Sequence, residues 1–325
     1  MKILPSFLAL VAAFVLARAD VSHAQSGYPN RPVQLVVTVP PGGAADLVAR
    51  VIGAKLTDAL GQNVVVSNRA GAGGTTAAGQ VAKAEADGYT LMENTITTHG
   101  IGPHVYASLP YDPLKDFAPV ILIAKLPLIM AVNAEVPARS VAEVIALARE
   151  KPGELSFSSS GTGGAPHLAG ELFKSLTGTS LLHVPYRGSG PAVIDLAAGR
   201  ITMMFDATPS LLPHILSGKL RPLAAASPQR HPLLPQVPSF AELGLPGMDI
   251  ALWYGVVAPA GTPAPIVQRL NAELNRILEL SDVRKTLADQ GAEVAGGTPE
   301  DFAAFMRAEI ARWGPVVKAA GIKPE

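Results

Sequence analysis

The chain has 325 residues, in which 26 basic side chains balance 26 acidic ones, and it contains 7 histidines and no cysteine. The chain lacks the electrostatic footprint of a nucleic-acid-binding protein, because its charge is balanced, no basic run occurs and it has only 2 tryptophans. The missing cysteines exclude thiol nucleophiles, iron–sulfur clusters and cysteine-based zinc sites.

The first predicted element is an export signal. Lys2 precedes an apolar run over residues 3–17, and Ser22-His23-Ala24 puts small residues three and one positions before a cut after Ala24. The run is too short for a stable membrane span. We therefore expect residues 1–24 to be removed and the remaining 301 residues to work in the periplasm. A chain of that length predicts two lobes.

A strand, a turn and a helix recur along the mature chain. Residues 33–39 read as a buried strand and residues 64–67 and 155–159 as two further strands, and each leads through a Gly-rich turn into a helix. Residues 183–185 and 201–205 are two further strands, followed by helices that begin at Pro191 and Pro209. Strands that alternate with helices predict an α/β fold with parallel sheets.

Two long β-rich segments predict crossings between the lobes. They comprise residues 120–132 and 250–258, and the second leads into an all-helical tail whose last helix begins with Thr298-Pro299-Glu300-Asp301. Because such a tail has no sheet of its own to cover, we expect it to pack on the first lobe. Lobe 1 is then residues 27–125 plus 252–325, and lobe 2 is residues 126–251.

The Gly-rich turns predict an anion site. In open α/β sheets, ligands bind beyond the carboxyl ends of the strands, where helix N-termini present free backbone N–H groups. Each such terminus carries about half a positive charge and favours an anion without help from Lys or Arg. The alternative is that each loop is only a tight turn. The predicted cleft places Gly42, Gly43 and Ala44 beside Ala72, Gly73 and Gly74, with Ser160, Gly161 and Thr162 opposite.

Cofactor and metal sites are weakly indicated. The segment from Gly71 to Thr76 departs from the dinucleotide fingerprint, because Thr76 stands where the third glycine or alanine is needed. His99 and His104 are five apart in a predicted loop, while His167 and Glu171 are four apart on a predicted helix, and neither pair forms a recognised ligand set. We therefore predict no cofactor and no metal.

Nothing in the sequence assembles a catalytic triad. Ser189 lies between Gly188 and Gly190, which is not the spacing of a nucleophile elbow. Asp206, at a strand end, has three open interpretations: a general base, an acceptor for a ligand's amino or hydroxyl group, or the cap of the helix that begins at Pro209.

Two arginines are placed to form ion pairs, one with an aspartate of the chain and one with an anionic ligand. Asp46 and Arg50 are spaced for a salt bridge on the first helix. Arg187, in a loop, is the one cation placed where the far end of an anion could reach it.

Taken in order, these segments resemble one family. They include Tyr28-Pro29, Val39-Pro-Pro-Gly-Gly43 with Asp46, the run Asn68 to Gly74, Ser160-Gly161 with His167, Val184 to Gly188, and Phe205-Asp206. The pattern resembles the Bug family, the periplasmic solute-binding receptors associated with tripartite tricarboxylate transporters, over essentially the whole mature chain. The resemblance implies a two-lobed α/β fold like that of type II periplasmic binding proteins, with a hinge between the lobes and no enzymatic activity.

The resemblance also implies a ligand and a partner. The ligand is expected to be a small carboxylate (a di- or tricarboxylate, an acidic amino acid or an aromatic acid) held by backbone amides of the first two turns. Ser160, Gly161, Thr162, His167 and Asp206 are expected to select its other end. Val39-Pro40 stands where family members often have an aromatic residue, which leaves the pocket without that wall.

The implied partner is the membrane permease of such a transporter, served by a monomeric receptor. A membrane histidine kinase as recipient, or an exported hydrolase or isomerase acting on a small acid, are the alternatives.

Overall fold

The computed structural model describes residues 27–322. The predicted signal peptide, residues 1–24, lies outside the described residues. Between residues 27 and 322, no helix is both long and apolar enough to cross a membrane.

The N-terminal part consists of strand-turn-helix units. Strands β1 and β2 bracket the first helix, and β1 pairs in parallel with both β2 and β3. The elements are β1 (Val33–Val37), α1 (Ala44–Leu60), β2 (Val64–Asn68), α2 (Thr75–Ala82) and β3 (Thr90–Thr95).

The segment around His99 and His104 was expected to be a loop, and that expectation is wrong. A helical turn over Thr97–Ile101 continues directly into α3 (Gly102–Val105). Glycine and threonine have poor helix propensity, but the side chains here are buried and packing overrides that preference. His99 is fully buried, stacks against Tyr111 and makes an edge-to-face contact with Phe117.

The middle of the chain begins with one long strand and then returns to alternating strands and helices. Here β5 pairs in parallel with β6 and with β7. The elements are β4 (Phe117–Asn133), α4 (Val141–Glu150), β5 (Ser156–Ser159), α5 (Ala165–Thr177), β6 (Leu182–Pro185), α6 (Ser189–Ala197), β7 (Met203–Ala207), α7 (Thr208–Leu216) and β8 (Leu220–Ala225).

The β-rich segment predicted over residues 250–258 forms a strand, but the tail after it is not entirely helical, contrary to expectation. It contains β9 (Ala251–Pro259), α8 (Ala264–Leu278), α9 (Ser281–Ala288), β10 (Glu293–Gly296) and α10 (Pro299–Ala319). Strand β10 pairs antiparallel with β4. Four residues that end in a glycine carry too little alternation to reveal a strand in the sequence. Helix α10 begins as predicted, with a capping box between Thr298 and Asp301.

The strands form one mixed sheet in the order β2-β1-β3-β9-β4-β7-β5-β6, with β8 and β10 also pairing with β4. The parallel sheet expected from the sequence is therefore found only within the strand-turn-helix units, because β4 and β9 run antiparallel to their neighbours. Strand β4 pairs with β9 as far as Pro127 and with β7 and β8 from Leu128 onward. The exchange of partners falls where the sequence predicts a crossing between lobes, and the lobe boundaries themselves stay a prediction.

Helix α10 packs against β9. The ring of Phe302 lies so close to Gly255 that an added Cβ would be 2.1 Å from it. Trp253 Nε1 donates a hydrogen bond of 2.9 Å to the buried carboxylate of Glu309. At its other end, the helix reaches the residues before β9, where the guanidinium of Arg312 donates to the carbonyl of Asp249.

Candidate functional site

A cleft of about 530 Å³ lies at the ends of several strands. Its walls are formed by residues 39–45 after β1, residues 95–97 at the end of β3, residues 188–190 after β6, and the start of α7 after β7. Ser160, Asp206 and Tyr254 also line it. These segments follow the carboxyl ends of strands, which is where ligands bind in open α/β sheets.

A second cavity of about 530 Å³ lies between α4 and residues 236–245. Its lining is mostly apolar, and it contains none of the residues singled out in the sequence. We place the candidate site in the cleft at the strand ends, because three helices begin there beside the ends of several strands.

Three helices begin at this cleft. The residues that precede the first turns of α1, α6 and α7 are Gly43, Gly188 and Ala207, and all three line the cleft. The first N–H groups of a helix have no acceptor within the helix and carry the positive end of its dipole. No Lys, Arg or His is among the described residues that line this cleft. Any attraction of this lining for an anion therefore comes from backbone N–H groups and side-chain hydroxyls, not from a cationic side chain.

The first predicted turn forms one wall, and Asp46 fixes its shape. The N–H of Gly42 donates to Asp46 Oδ2 at 3.0 Å, and the same carboxylate receives Arg50 Nε at 2.9 Å and Asn68 Nδ2 at 2.9 Å. Gly42 has a φ of 93°, which a side chain would disfavour. The salt bridge predicted between Asp46 and Arg50 is present, at 2.9 Å.

That arrangement changes which donors face a ligand. Because the N–H of Gly42 is taken by Asp46, the donors at the start of α1 are the N–H groups of Gly43, Ala44 and Ala45. Arg50 and the other hydrogen bonds lower the pKa of Asp46 to about 2, against the effect of burial. Asp46 is therefore an anion at neutral pH, and it is occupied by its own loop.

The second predicted turn lies beside the end of β1 and outside the cleft lining. Gly74 packs so closely on Thr38 that an added Cβ would be 2.7 Å from the threonine Cβ, and a Cβ at Gly73 would be 2.1 Å from Tyr106 Oη. Ala72, at a φ of 46°, is exposed with Gly73. Contact between these three residues and a ligand stays a prediction.

The third predicted turn contributes Ser160 to the lining, whereas Gly161, Thr162 and His167 lie outside it. His167 is buried, and its Nδ1 accepts the N–H of Gly163 at 3.0 Å. Its ring stacks on His183, with 3.8 Å between ring centroids, and His183 Nε2 lies 2.7 Å from Ser159 Oγ. The two histidines therefore contact the third turn and the strand end before it from the side away from the cleft, and they do not line the cleft.

Asp206 is the only ionisable carboxyl group among the described residues that line the cleft. Its Oδ1 accepts the N–H of Ala207 at 2.8 Å, while the buried Oδ2 has no hydrogen-bond partner within residues 27–322. Burial raises the pKa of Asp206 to about 6, although Ser189 and the Ala207 N–H act in the opposite direction. No side chain caps the N-terminus of helix α7, which argues against the interpretation of Asp206 as the cap of that helix.

Sequence reasoning missed two walls of the cleft. Residues 188–190 and the start of α7 were described as helix starts but not included among the site residues. The rule applied to the first three turns would have found them, because both follow predicted strands. Tyr254 and Thr95 carried no such signal, since each lies in a strand whose neighbours become known only from the fold.

Arg187 is exposed and outside the lining. Within the described part of the chain, no group of three or more metal-ligating side chains is placed to hold a metal ion.

Comparison with known proteins identifies close relatives across the whole fold. The structure titled R. palustris Rpa4515 with adipate is 43% identical, and the match has a TM-score of 0.84 and covers 92% of this chain and all of that one (100%). MatC from Rhodopseudomonas palustris with bound malate is 36% identical, and its match has a TM-score of 0.79 and covers 89% of this chain and 100% of that one. Protein BugT of Bordetella pertussis is 40% identical over 319 residues, which are 97% of this chain and 98% of the relative.

These relatives confirm the resemblance to the Bug family and the two-lobed α/β fold of a periplasmic binding protein. The family model described as tripartite tricarboxylate transporter family receptor matches residues 48–322. The chain therefore belongs to the receptor family of tripartite tricarboxylate transporters, whose members are solute-binding receptors and not enzymes.

Proposed function

We propose that this protein is a periplasmic receptor that captures a small carboxylate in the cleft and delivers it to the permease of a tripartite tricarboxylate transporter. The observation that carries the proposal is the meeting of three helix N-termini at a cleft where the described lining holds no cationic side chain. Such donors bind an anion through charge-assisted hydrogen bonds. The sequence predicts export, and the matching family consists of transporter receptors.

A dicarboxylate is the ligand class that we favour. Two relatives were solved with ligands, one with adipate and one with malate, and both ligands are dicarboxylates. The cleft volume of about 530 Å³ lies within the usual range of small-molecule sites, about 300–1,000 Å³. One carboxylate would be held by the N–H groups of Gly43, Ala44 and Ala45, while Asp206 and Ser189 face the other end.

We propose that closure of the lobes reports the bound ligand. The lobes are residues 27–125 plus 252–325 and residues 126–251, connected through β4 and β9. The change of strand partners between Pro127 and Leu128 supports a boundary there. Closure around a ligand would exclude water and strengthen the hydrogen bonds in the cleft. The permease could then distinguish a loaded, monomeric receptor from an empty one by the positions of the lobes.

A thermal-shift screen of the chain from residue 25 onward tests this function. The panel contains citrate, succinate, adipate, malate, aspartate, glutamate, nicotinate and terephthalate. A ligand at about 100 times its Kd stabilises by about 2.7 kcal/mol, which raises Tm by several degrees in a protein of this size. We expect a selective shift with one or two dicarboxylates. A flat panel, with ligand-free protein verified by mass spectrometry, would contradict carboxylate binding.

A further inference from the structure

The lobe 2 side of the cleft holds an acid where the far end of the ligand would lie. Asp206 is only 2% exposed, yet it is in the cleft lining. Its Oδ1 is occupied by the Ala207 N–H, and its Oδ2 has no partner among the described residues. A buried carboxyl oxygen without a hydrogen bond is costly. The ligand is therefore the natural source of the missing bond.

The charge at this side of the cleft depends on the proton of Asp206. Helices α6 and α7 both begin at this side of the cleft, and the N-terminus of each contributes about half a positive charge. An ionised Asp206 cancels that sum, while a neutral Asp206 leaves it positive. A second carboxylate therefore meets a favourable field only when Asp206 carries a proton.

We propose, on the basis of the proposed function, that Asp206 receives a hydrogen-bond donor from the far end of the ligand, and that a dicarboxylate is therefore bound together with one proton. The proton comes from the solvent and is shared between Asp206 and the far carboxyl group of the ligand. Two carboxyl groups in contact do not readily both ionise, so the last proton leaves the pair at a higher pH than it would leave either group alone. A ligand with a carboxylate at one end and a hydroxyl or ammonium group at the other needs no added proton.

The described groups that face Asp206 from β9 and β3 are a phenol and a second acid, and neither supplies a positive charge. Tyr254 on β9 faces it, and burial keeps the pKa of that phenol above its ordinary value. On β3, behind Tyr254, the pKa of Glu93 is raised well above its usual range by burial, which favours its neutral form.

Within residues 27–322, the neighbouring helices add no cation either. Helix α6 presents the hydroxyl of Ser189, while Thr208 of α7 is hydrogen-bonded to His231, whose pKa is lowered by burial. Arg187 precedes α6 and is exposed outside the lining. From β4, the residue paired with Asp206 is the apolar Ile129. The empty protein is expected to ionise Asp206 near neutral pH, because its pKa is about 6.

Titration calorimetry with adipate tests the proposal. Heats measured at one pH in buffers of different ionisation enthalpy give the number of protons taken up. We expect uptake of about one proton at pH 8 and a Kd that rises about tenfold per pH unit above neutrality. For 6-hydroxyhexanoate we expect no uptake and a constant Kd. Adipate binding without proton uptake, at a Kd that is constant from pH 6.5 to 8.5, would overturn the inference and leave the proposed function standing.

Substitution of two carboxylates on lobe 2 tests whether the proton is taken up at Asp206. Asp206→Asn keeps the shape and gives the far carboxylate a neutral donor, so we expect adipate to bind without proton uptake and about tenfold more tightly than in the wild type at pH 8. Asp195→Asn, a control on α6 whose carboxylate contacts Tyr186 and Arg200, should retain proton uptake.

Two further outcomes are decisive. If Arg187→Gln abolishes adipate binding and Asp206→Asn leaves proton uptake unchanged, Arg187 holds the far carboxylate and the inference fails. If neither adipate nor any other carboxylate binds the correctly folded wild type, the proposed function itself fails.

Discussion

Asp46 Oδ2 accepts the backbone N–H of Gly42 at 3.0 Å, so the wall of the cleft is hydrogen-bonded to the first turn of its own helix. Asp46→Ala removes this bond and those to Arg50 and Asn68. We expect the variant to lose about 1–3 kcal/mol of unfolding free energy. We also expect carboxylate affinity to fall about tenfold, because the turn that positions the N–H donors is no longer fixed. Calorimetry and urea unfolding measure the two effects.

The matched control is Asp282→Ala, which removes an exposed carboxylate paired with Lys55 at 2.6 Å. We expect it to bind ligand normally. The pKa of Asp46 is lowered to about 2 in the folded protein, so its contribution to stability is present above its ordinary pKa and is lost as the pH falls toward 2. Unchanged affinity in Asp46→Ala would show that the carboxylate supports only the fold.

Glu93→Gln should stabilise the protein at alkaline pH. Both carboxyl oxygens of Glu93 are buried without a hydrogen-bond partner in the described residues, and burial raises the pKa well above its usual range, with a smaller contribution from Asp46. The folded protein therefore keeps a proton that the unfolded chain releases, so stability falls as the pH rises above the ordinary value for Glu. Glutamine has no such titration.

Thermal unfolding at pH 4 and pH 8 measures the effect. We expect a Tm for Glu93→Gln that exceeds the wild-type value at pH 8 by about 2 °C or more, since about 1 kcal/mol shifts Tm by about 2–4 °C at this size. The advantage should be smaller at pH 4. An equal difference at both pH values would mean that Glu93 does not titrate between them.

His183→Gln should make stability less sensitive to acid. Burial lowers the pKa of His183 to about 4, so the unfolded chain takes up a proton below about pH 6.5 and the folded protein does not. This contribution is present above the unfolded pKa and is lost as the pH falls toward 4. The amide of glutamine can still bond Ser159, which His183 contacts at 2.7 Å.

Urea unfolding at pH 7 and pH 5 measures this difference. We expect the wild type to lose about 1–2 kcal/mol more than His183→Gln over that interval, allowing for partial exposure of the ring. His99, whose pKa is lowered to about 3 by burial, titrates in both proteins and does not affect the comparison. Identical losses would place the acid sensitivity elsewhere.

Gly255→Ala should destabilise the junction between β9 and α10. An added Cβ would lie 2.1 Å from Phe302 and 2.9 Å from Asn94 Oδ1. We expect a loss of about 1–3 kcal/mol from overpacking. Adding Phe302→Leu should recover part of it, which a double-mutant cycle detects as coupling. Additive losses would mean that the helix does not pack on the strand in this register.

The sequence predicted the local units of this fold better than their assembly. The unit from β1 through α1 to β2 was readable because an apolar strand, a Gly-rich turn and a helical stripe follow one another within residues 33–68. Strand β10 was not, because Glu293–Gly296 is short and takes its partner from distant β4. The helical turn over Thr97–Ile101 escaped because burial, and not propensity, stabilises it.

The candidate site was predicted in part for the same reason. Gly43, Ala44, Ser160 and Asp206 line the cleft because their strands end at it, and strand ends are visible in a sequence. The position of Gly73 against Tyr106, and that of His167 against His183, depend on side chains far apart in the chain. Tyr254 enters the cleft from a crossing strand whose pairing only the fold reveals.

Calorimetry of two substitutions at Gly43 tests most directly whether backbone N–H groups at the start of α1 hold the ligand's carboxylate. The site has open space around an added Cβ, and its φ of −89° is close to the range of proline. Gly43→Ala keeps the N–H, and we expect its affinity for the best dicarboxylate to stay within about twofold of the wild type. Gly43→Pro removes one charge-assisted donor, and we expect affinity to fall about 10–100-fold. Equal affinities in the two variants, with Tm values that show both are folded, would contradict the assignment of the anion to this turn.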